Sequence, residues 1–226
     1  MERLRHIVGL GGSGDSVEQT NRLFTYVVGL TGKDRPRLLY VPTASGDAAE
    51  NVAWFYEARS HLGELKMLRT FPWPHEELRD YVLSQDAIFV GGGNTANMLA
   101  IWRVHGIDEL MREAWESGIV LSGWSAGMIC WFEHGITDSF GPQLDAMECL
   151  GFLGGSACPH YDGEELRRPR YRELLEGGVP AGVAADDGVG VHYVGTQLVE
   201  AVTCRPGASA YRVTAEGEEP LETREL

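Results

Sequence analysis

Cysteine, long apolar runs and positive charge are all in short supply in this sequence. Its 226 residues hold 4 cysteines, Cys130, Cys149, Cys158 and Cys204, with neither CxxC spacing nor the density of a disulfide scaffold. They are expected to be reduced thiols, mostly buried. No stretch approaches the ~20 apolar residues of a membrane helix, and Met1-Glu2-Arg3-Leu4-Arg5 runs straight into a short apolar strand rather than a secretory core. A cytoplasmic location is the expectation. Lys and Arg number 19 against 33 Asp and Glu, a formal net charge of −14. A field of that sign repels phosphate backbones and anionic lipid, so neither nucleic acid nor a membrane is expected as a partner. The rest of the composition is ordinary for a folded chain, 43% hydrophobic, 23% charged and 9% aromatic, which disfavours disorder, collagen and coiled coil. The length suits one domain over residues 1–226, with no repeat and no linker-like stretch.

Short apolar runs alternate with longer amphipathic stretches, the pattern of βα units on a largely parallel sheet. Residues 6–10, 37–41, 65–68, 87–90, 119–121 and 182–185 are too short and too uniformly apolar for surface helices, and predict strands. Between them 16–30, 48–61, 75–83, 95–102, 107–116 and 164–176 carry apolar residues at helical spacing. Beyond residue 186 the runs 189–193, 197–202 and 210–213, separated by Gly195 and Arg205-Pro206-Gly207, predict a small antiparallel appendage.

Glycine, by contrast, is plentiful at 29 residues, and two clusters sit where a strand hands over to a helix. Gly9-x-Gly11-x-x-Gly14 has dinucleotide-site spacing. Such a site also wants an acidic residue ~20 positions on, at the end of the next strand, where this chain has Val41-Pro42-Thr43. These glycines are read instead as letting the first βα turn pass close to neighbouring backbone. The second cluster is Gly91-Gly92-Gly93-Asn94-Thr95. Three consecutive glycines are costly in chain entropy, yet they expose N–H groups at the carboxyl end of a strand, where open α/β sheets bind ligands. The run reads either as an oxyanion- and substrate-binding loop or as a tight turn capped by Asn94 or Thr95.

The most specific feature is Gly123-Trp124-Ser125-Ala126-Gly127, preceded by a buried-type strand and followed by apolar residues. That is the strand–turn–helix setting of a nucleophile elbow, in which small residues two positions either side permit the sharp turn and leave the Ala126 N–H free to face an oxyanion. Trp124 and Trp131, seven apart, are expected on one helical face, filling core or lining a pocket. A serine nucleophile needs a base, and the base an orienting acid. Of 7 histidines, His160 in Cys158-Pro159-His160-Tyr161 follows a glycine-rich loop and precedes a helix, which suits the sheet's carboxyl edge. Asp187, in Ala184-Ala185-Asp186-Asp187-Gly188 at the end of the next strand, is the candidate acid, and Asp138 in Ile136-Thr137-Asp138-Ser139 is its rival. Each aspartate could equally cap a turn.

In order along the chain, the glycine triplet with Asn94-Thr95, the Gly-Trp-Ser-Ala-Gly elbow, Pro159-His160-Tyr161 and Asp186-Asp187 resemble the peptidase E-like serine peptidases. That family includes the cyanophycinases and shares the class I glutamine amidotransferase scaffold. The resemblance implies a three-layer, doubly wound, mostly parallel α/β fold of flavodoxin-like type, with no metal and no cofactor. It casts Ser125 as nucleophile, His160 as general base and Asp187 as acid, with the oxyanion held by the N–H groups of Gly92 and Ala126. Asp187 departs from the glutamate of the best-known members. The implied activity is hydrolysis of small peptides, foremost dipeptides with N-terminal Asp, through an acyl-enzyme. A cyanophycinase-like β-aspartyl peptide hydrolase and a non-catalytic or amidotransferase-like ligand-binding module are the alternatives. The expected partner is a small peptide substrate, and a homodimer is compatible with the sequence.

On so acidic a protein, selectivity for an acidic substrate needs a local cation. Arg167, Arg168, Arg170 and Arg172 form the densest basic cluster. By resemblance Arg170 is the first choice of carboxylate anchor and Arg167 the second, beside Gly91, Gly93, Asn94 and Thr95 as substrate-binding residues. The competing reading is a solvated helix face paired with Glu164, Glu165, Glu173 and Glu176.

Overall fold

Five short strands pair side by side as a parallel sheet in a computed structural model that describes residues 4–226. They are β1 (His6–Leu10), β2 (Arg37–Val41), β3 (Glu64–Met67), β4 (Ala87–Val90) and β5 (Val120–Trp124), in the spatial order β1-β5-β4-β2-β3. Strand side chains alternate between faces, so one run serves two cores. Val8, Leu10, Leu38, Tyr40, Phe89 and Val120 pack with α1 (Val17–Gly29) and α2 (Ala49–Arg59). Ile7, Leu39, Val41, Ile88, Val90 and Leu121 face the other way, toward α3 (Leu78–Leu83), α4 (Thr95–His105) and α5 (Ile107–Glu116). Burial on both faces is why β1, β2, β4 and β5 read as apolar runs rather than alternating ones, while β3 at the sheet edge carries Glu64 and Lys66.

After the elbow the chain builds a second sheet that the sequence reading did not contain. A four-residue helix, α6 (Ala126–Ile129), gives way to β6 (Phe132–Thr137), β7 (Asp145–Glu148), β8 (Leu153–Cys158) and, after α7 (Arg167–Glu176), β9 (Gly182–Ala185). Strands β6, β8 and β9 are parallel. One face of this sheet, with Phe132, Leu153, Ala157 and Val183, joins the core under the main sheet. The opposite face, with Ile136, Cys158 and Ala184, packs Tyr171 and Leu175 of α7.

The late strands pair antiparallel as expected but are shared between the two sheets instead of standing apart. β10 (Val189–Val194) lies directly against β1, and β11 (Gln197–Thr203) follows it in the main sheet. β12 (Ala210–Thr214) pairs with β9, and β13 (Gly217–Pro220) with β12. β14 (Thr223–Glu225) closes the main sheet beside β11, giving eight strands there and six in the second sheet. All four cysteines are free, three of them buried. Among the described residues no helix is long and apolar enough to cross a membrane.

Candidate active site

The elbow is shaped by what glycine permits. A Cβ on Gly123 or on Gly127 would overlap the Val90 carbonyl oxygen, so only glycines let the turn rest on the end of β4. The turn leaves Ser125 at φ 56°, ψ −114°, a conformation that L side chains rarely adopt. Its N–H donates to the Leu10 carbonyl at 3.2 Å, while its carbonyl accepts from Met128 and Ile129 at 2.9 and 3.1 Å. Because Val90 leads into the triplet, Gly92 is pressed against the serine: a Cβ there would lie 3.2 Å from Ser125 Cβ and 3.1 Å from Trp124 Nε1. Trp124 is set by stacking on Tyr40 and Phe55, at centroid distances of 5.9 and 6.1 Å. Burial pushes the Tyr40 hydroxyl up to about 12, so it stays a neutral donor. The Ala126 N–H, at the first position of α6, has no acceptor within its helix.

His160 arrives from the second sheet, just beyond β8, and Asp187 just beyond β9. His160 Nδ1 stands 2.6 Å from Asp187 Oδ1, with the two side chains 23% and 28% exposed. The His160 N–H donates to the Gly11 carbonyl at 3.1 Å. Successive carbonyls of a strand point to opposite sides. Leu10 and Gly11 at the end of β1 therefore carry the serine turn on one side and the histidine turn on the other. Among the described residues, three non-glycine positions have positive φ, and His160 (51°) and Ser125 are two of them. Such strain persists where surrounding structure enforces it and concentrates at functional sites. No hydrogen bond joins Ser125 to His160 among the described residues; such catalytic contacts are often long or poorly aligned until the Michaelis complex forms.

Gly11 makes the close approach to backbone expected of the first cluster, since a Cβ there would overlap the Asp186 and Ala185 carbonyl oxygens, and Gly12 beside it approaches Asp187. A Cβ on Gly12 would overlap Asp187 Oδ1 and lie 2.8 Å from His160 Nδ1, and one on Gly163 would overlap Asp187 Oδ2. The carboxylate is thus held between two bare Cα atoms. Asp186, beside it, is the cap: buried, its Oδ2 accepts the Ser209 N–H at 2.9 Å, and burial raises its carboxyl above the ordinary range. Asp138 is exposed, and among the described residues no hydrogen bond or ion pair joins it to His160.

The remaining predicted residues separate. Gly91 donates to the Val41 carbonyl at 3.0 Å, and Gly93, at φ 137°, packs where a Cβ would overlap the Ala44 carbonyl. Asn94 Oδ1 caps α4 through the Asn97 N–H at 2.8 Å, and its amide donates to the Ser139 carbonyl at 2.9 Å. Thr95 is buried, with its N–H on Ser139 Oγ at 2.9 Å. The α4 N-terminus is therefore capped from inside the protein, and these two residues tie the triplet to the 138–144 loop. Arg167 corrects an expectation. It is buried, and its guanidinium holds Glu164 at 2.8 Å and the Ile136 carbonyl at 3.3 Å, which makes it a strut and not a free carboxylate anchor. Arg170 donates to the Leu144 carbonyl at 3.0 Å and Glu173 at 2.9 Å, and lines a cavity of about 730 Å³ with Asp138, Glu164, Glu165 and Glu173. The tryptophan spacing argument also fails, because the chain is not helical from 124 to 131: Trp124 ends β5 near the serine, and Trp131 is fully buried beside Trp102 and Phe152. Among the described residues no group of three or more His, Cys, Asp or Glu side chains could hold a metal ion.

The model of Peptidase family S51 matches residues 7–201. The chain belongs to this family. It is accordingly a serine-type peptidase, as the order of its motifs suggested. It is 45% identical over 213 residues to the uncharacterized peptidase YgaJ of Bacillus subtilis (strain 168), covering 93% of this chain and 92% of that one. Peptidase E of Shewanella denitrificans matches at 33% over 89 residues, 39% of this chain and 37% of its own. A crystal structure of a peptidase from an acI-B1 Actinobacterium superposes with a TM-score of 0.71 at 18% identity, covering 98% and 96% of the two chains, which shows a shared α/β fold.

Proposed function

We propose that this S51 peptidase hydrolyses small peptides through an acyl-enzyme on Ser125, with His160 as general base and Asp187 as the acid that orients it. The observation that carries the reading is the 2.6 Å contact between His160 Nδ1 and Asp187 Oδ1, beside a strained serine on the same edge. With Nδ1–H committed to the carboxylate, Nε2 is the basic nitrogen that takes the serine proton during attack and returns it to the leaving amine. The oxyanion falls to the N–H groups of Gly92 and Ala126, each such donor contributing on the order of 3 kcal/mol to the transition state. Water then repeats the attack and releases the acid.

The finer proposal is a dipeptide with N-terminal Asp, its side-chain carboxylate gripped by Arg170. Support comes from Arg170 being the cation on a cavity whose 138–144 wall is fastened to the glycine triplet through Asn94 and Ser139. A second reading has its own observation: four carboxylates share that cavity with Arg170, which favours a peptide carrying a cationic side chain, a β-aspartyl-linked peptide with a basic second residue among them. Comparing kcat/KM for Asp-Leu, Asn-Leu, Ala-Leu, isoAsp-Lys and Asp-Lys decides. Asp-Leu should win, and Arg170→Ala should erase its advantage while sparing Ala-Leu. Equal rates for Asp-Leu and Asn-Leu would end the aspartyl assignment, and a clear lead for Asp-Lys or isoAsp-Lys would install the second reading.

A further inference from the structure

Asp187 is itself held by two charged side chains that no motif singled out. Asp162, two residues after His160, accepts the Asp187 backbone N–H on Oδ1 at 2.9 Å. One short side chain thus ties the turn that carries the base to the turn that carries the acid. Its other oxygen, Oδ2, is ion-paired with Arg205. Arg205 is set in turn by the backbone: Cys204 N–H and Thr203 Oγ1 both donate to the carbonyl of Gly188, the residue after Asp187, at 2.9 and 3.2 Å, and Arg205 N–H donates to Thr203 Oγ1 at 3.0 Å. Burial works against the Arg205 charge, but Asp162, with Asp15 and Asp187 behind it, outweighs that and holds the guanidinium more firmly protonated.

We propose that Asp162 and Arg205 are positioning residues of the catalytic machinery, Asp162 locking Asp187 against His160 and Arg205 locking Asp162. The inference rests on the Ser125–His160–Asp187 reading and adds a pair behind it. Gly12 and Gly163 only wedge the carboxylate sterically, so its angle to the imidazole is also set through its backbone and through whatever holds that backbone. The pair is also electrically balanced. Its other charged neighbours are Asp15, 4.0 Å from Arg205 Nη1, Asp186, which Arg168 faces from α7, and Asp187, with the Cys204 thiol alongside. Removing either partner leaves a lone charge beside the imidazole that must become cationic during attack, and the two removals leave charges of opposite sign.

The test is the rate at which a fluorophosphonate labels the intact protein, measured from about pH 5 to 9, which needs no peptide substrate. Asp162→Asn keeps an oxygen for the Asp187 N–H but strands a positive charge, so the acid limb of the profile should move to lower pH, by about half a unit. Arg205→Met strands a negative charge, so the limb should move to higher pH, with the plateau rate down about 10- to 100-fold as Asp162 loosens. Arg205→Lys should restore both. Opposite movements cannot come from general loosening of the fold, which would lower both rates without opposing shifts. Limbs that stay put, or move together, would overturn the inference. Labelling that persists in Ser125→Ala would instead bring down the reading beneath it.

Discussion

Replacing Gly12 with alanine adds one methyl group to the molecule, and the structure gives that methyl a single place to go. It would overlap Asp187 Oδ1 and stand 2.8 Å from His160 Nδ1, against 3.4 Å or more for an ordinary contact. The backbone conformation at Gly12 is open to alanine, since its φ is not in the left-handed region, so the whole effect is steric. The carboxylate cannot yield sideways, because Gly163 closes in on its other oxygen. It must leave His160, breaking the 2.6 Å contact. A misplacement of about 1 Å costs on the order of 100-fold in turnover. Loss of the orienting acid altogether costs on the order of 10,000-fold. Gly12→Ala should therefore lower kcat between those bounds and, as an overpacking change, lower stability by about 1–3 kcal/mol. Gly29→Ala is the matched control: nothing lies within 4 Å of its added methyl, and it ends α1. It should leave kcat unchanged and stabilise by about 0.5–1 kcal/mol. Dipeptide turnover and denaturant melts on both variants make the comparison. Wild-type turnover in Gly12→Ala would refute the placement of the acid against that turn.

Asp187→Asn should cost several orders of magnitude in kcat by favouring the wrong imidazole tautomer, while Asp138→Asn costs little; the reverse ranking in steady-state rates would move the acid to Asp138. His160→Ala should be nearly as damaging as Ser125→Ala, and the double variant little worse, whereas additive losses in kcat would argue against a unit. Burial pushes His192 down to about 4, in a chain that runs His6 Nδ1 to His192 Nε2 at 2.9 Å and Tyr26 to His192 Nδ1 at 2.6 Å. Between the ordinary 6.5 and that value the unfolded chain takes up a proton that the folded one refuses, so stability is complete above 6.5 and falls as pH drops toward 4, by about 3 kcal/mol. Urea midpoints at a series of pH values should show that slope and show it flattened in His192→Gln; an unchanged slope would place the acid sensitivity elsewhere.

Strands β1, β2, β4 and β5 were legible because they are buried on both faces, which turns a structural fact into an apolar run. The elbow was legible because the Val90 carbonyl demands glycine at both 123 and 127. The second sheet was not. Residues 153–158 read as a glycine-rich loop because Gly154 and Gly155 interrupt the pattern, yet they form β8 and deliver His160. In β7, Asp145 and Glu148 are exposed, and the strand has no apolar run to announce it. Asp187 was placed just past a strand, as the structure has it after β9, but the pairing that joins β8 to β9 is long-range and leaves no local mark. Asp162 lies two residues from a recognised motif and could have been suspected from it. Arg205 could not, since its role arises from a turn fastened to Gly188 across the fold.

The most direct test of the central claim is to label the protein with a fluorophosphonate and map the adduct by peptide mass spectrometry. An activated serine attacks phosphorus and is phosphonylated, whereas an ordinary hydroxyl stays unmodified. The account predicts one adduct, on the peptide that carries Ser125, absent from Ser125→Ala and slowed by orders of magnitude in His160→Ala and Asp187→Asn. An adduct on any other serine, or labelling of Ser125 at full rate without His160, would contradict it.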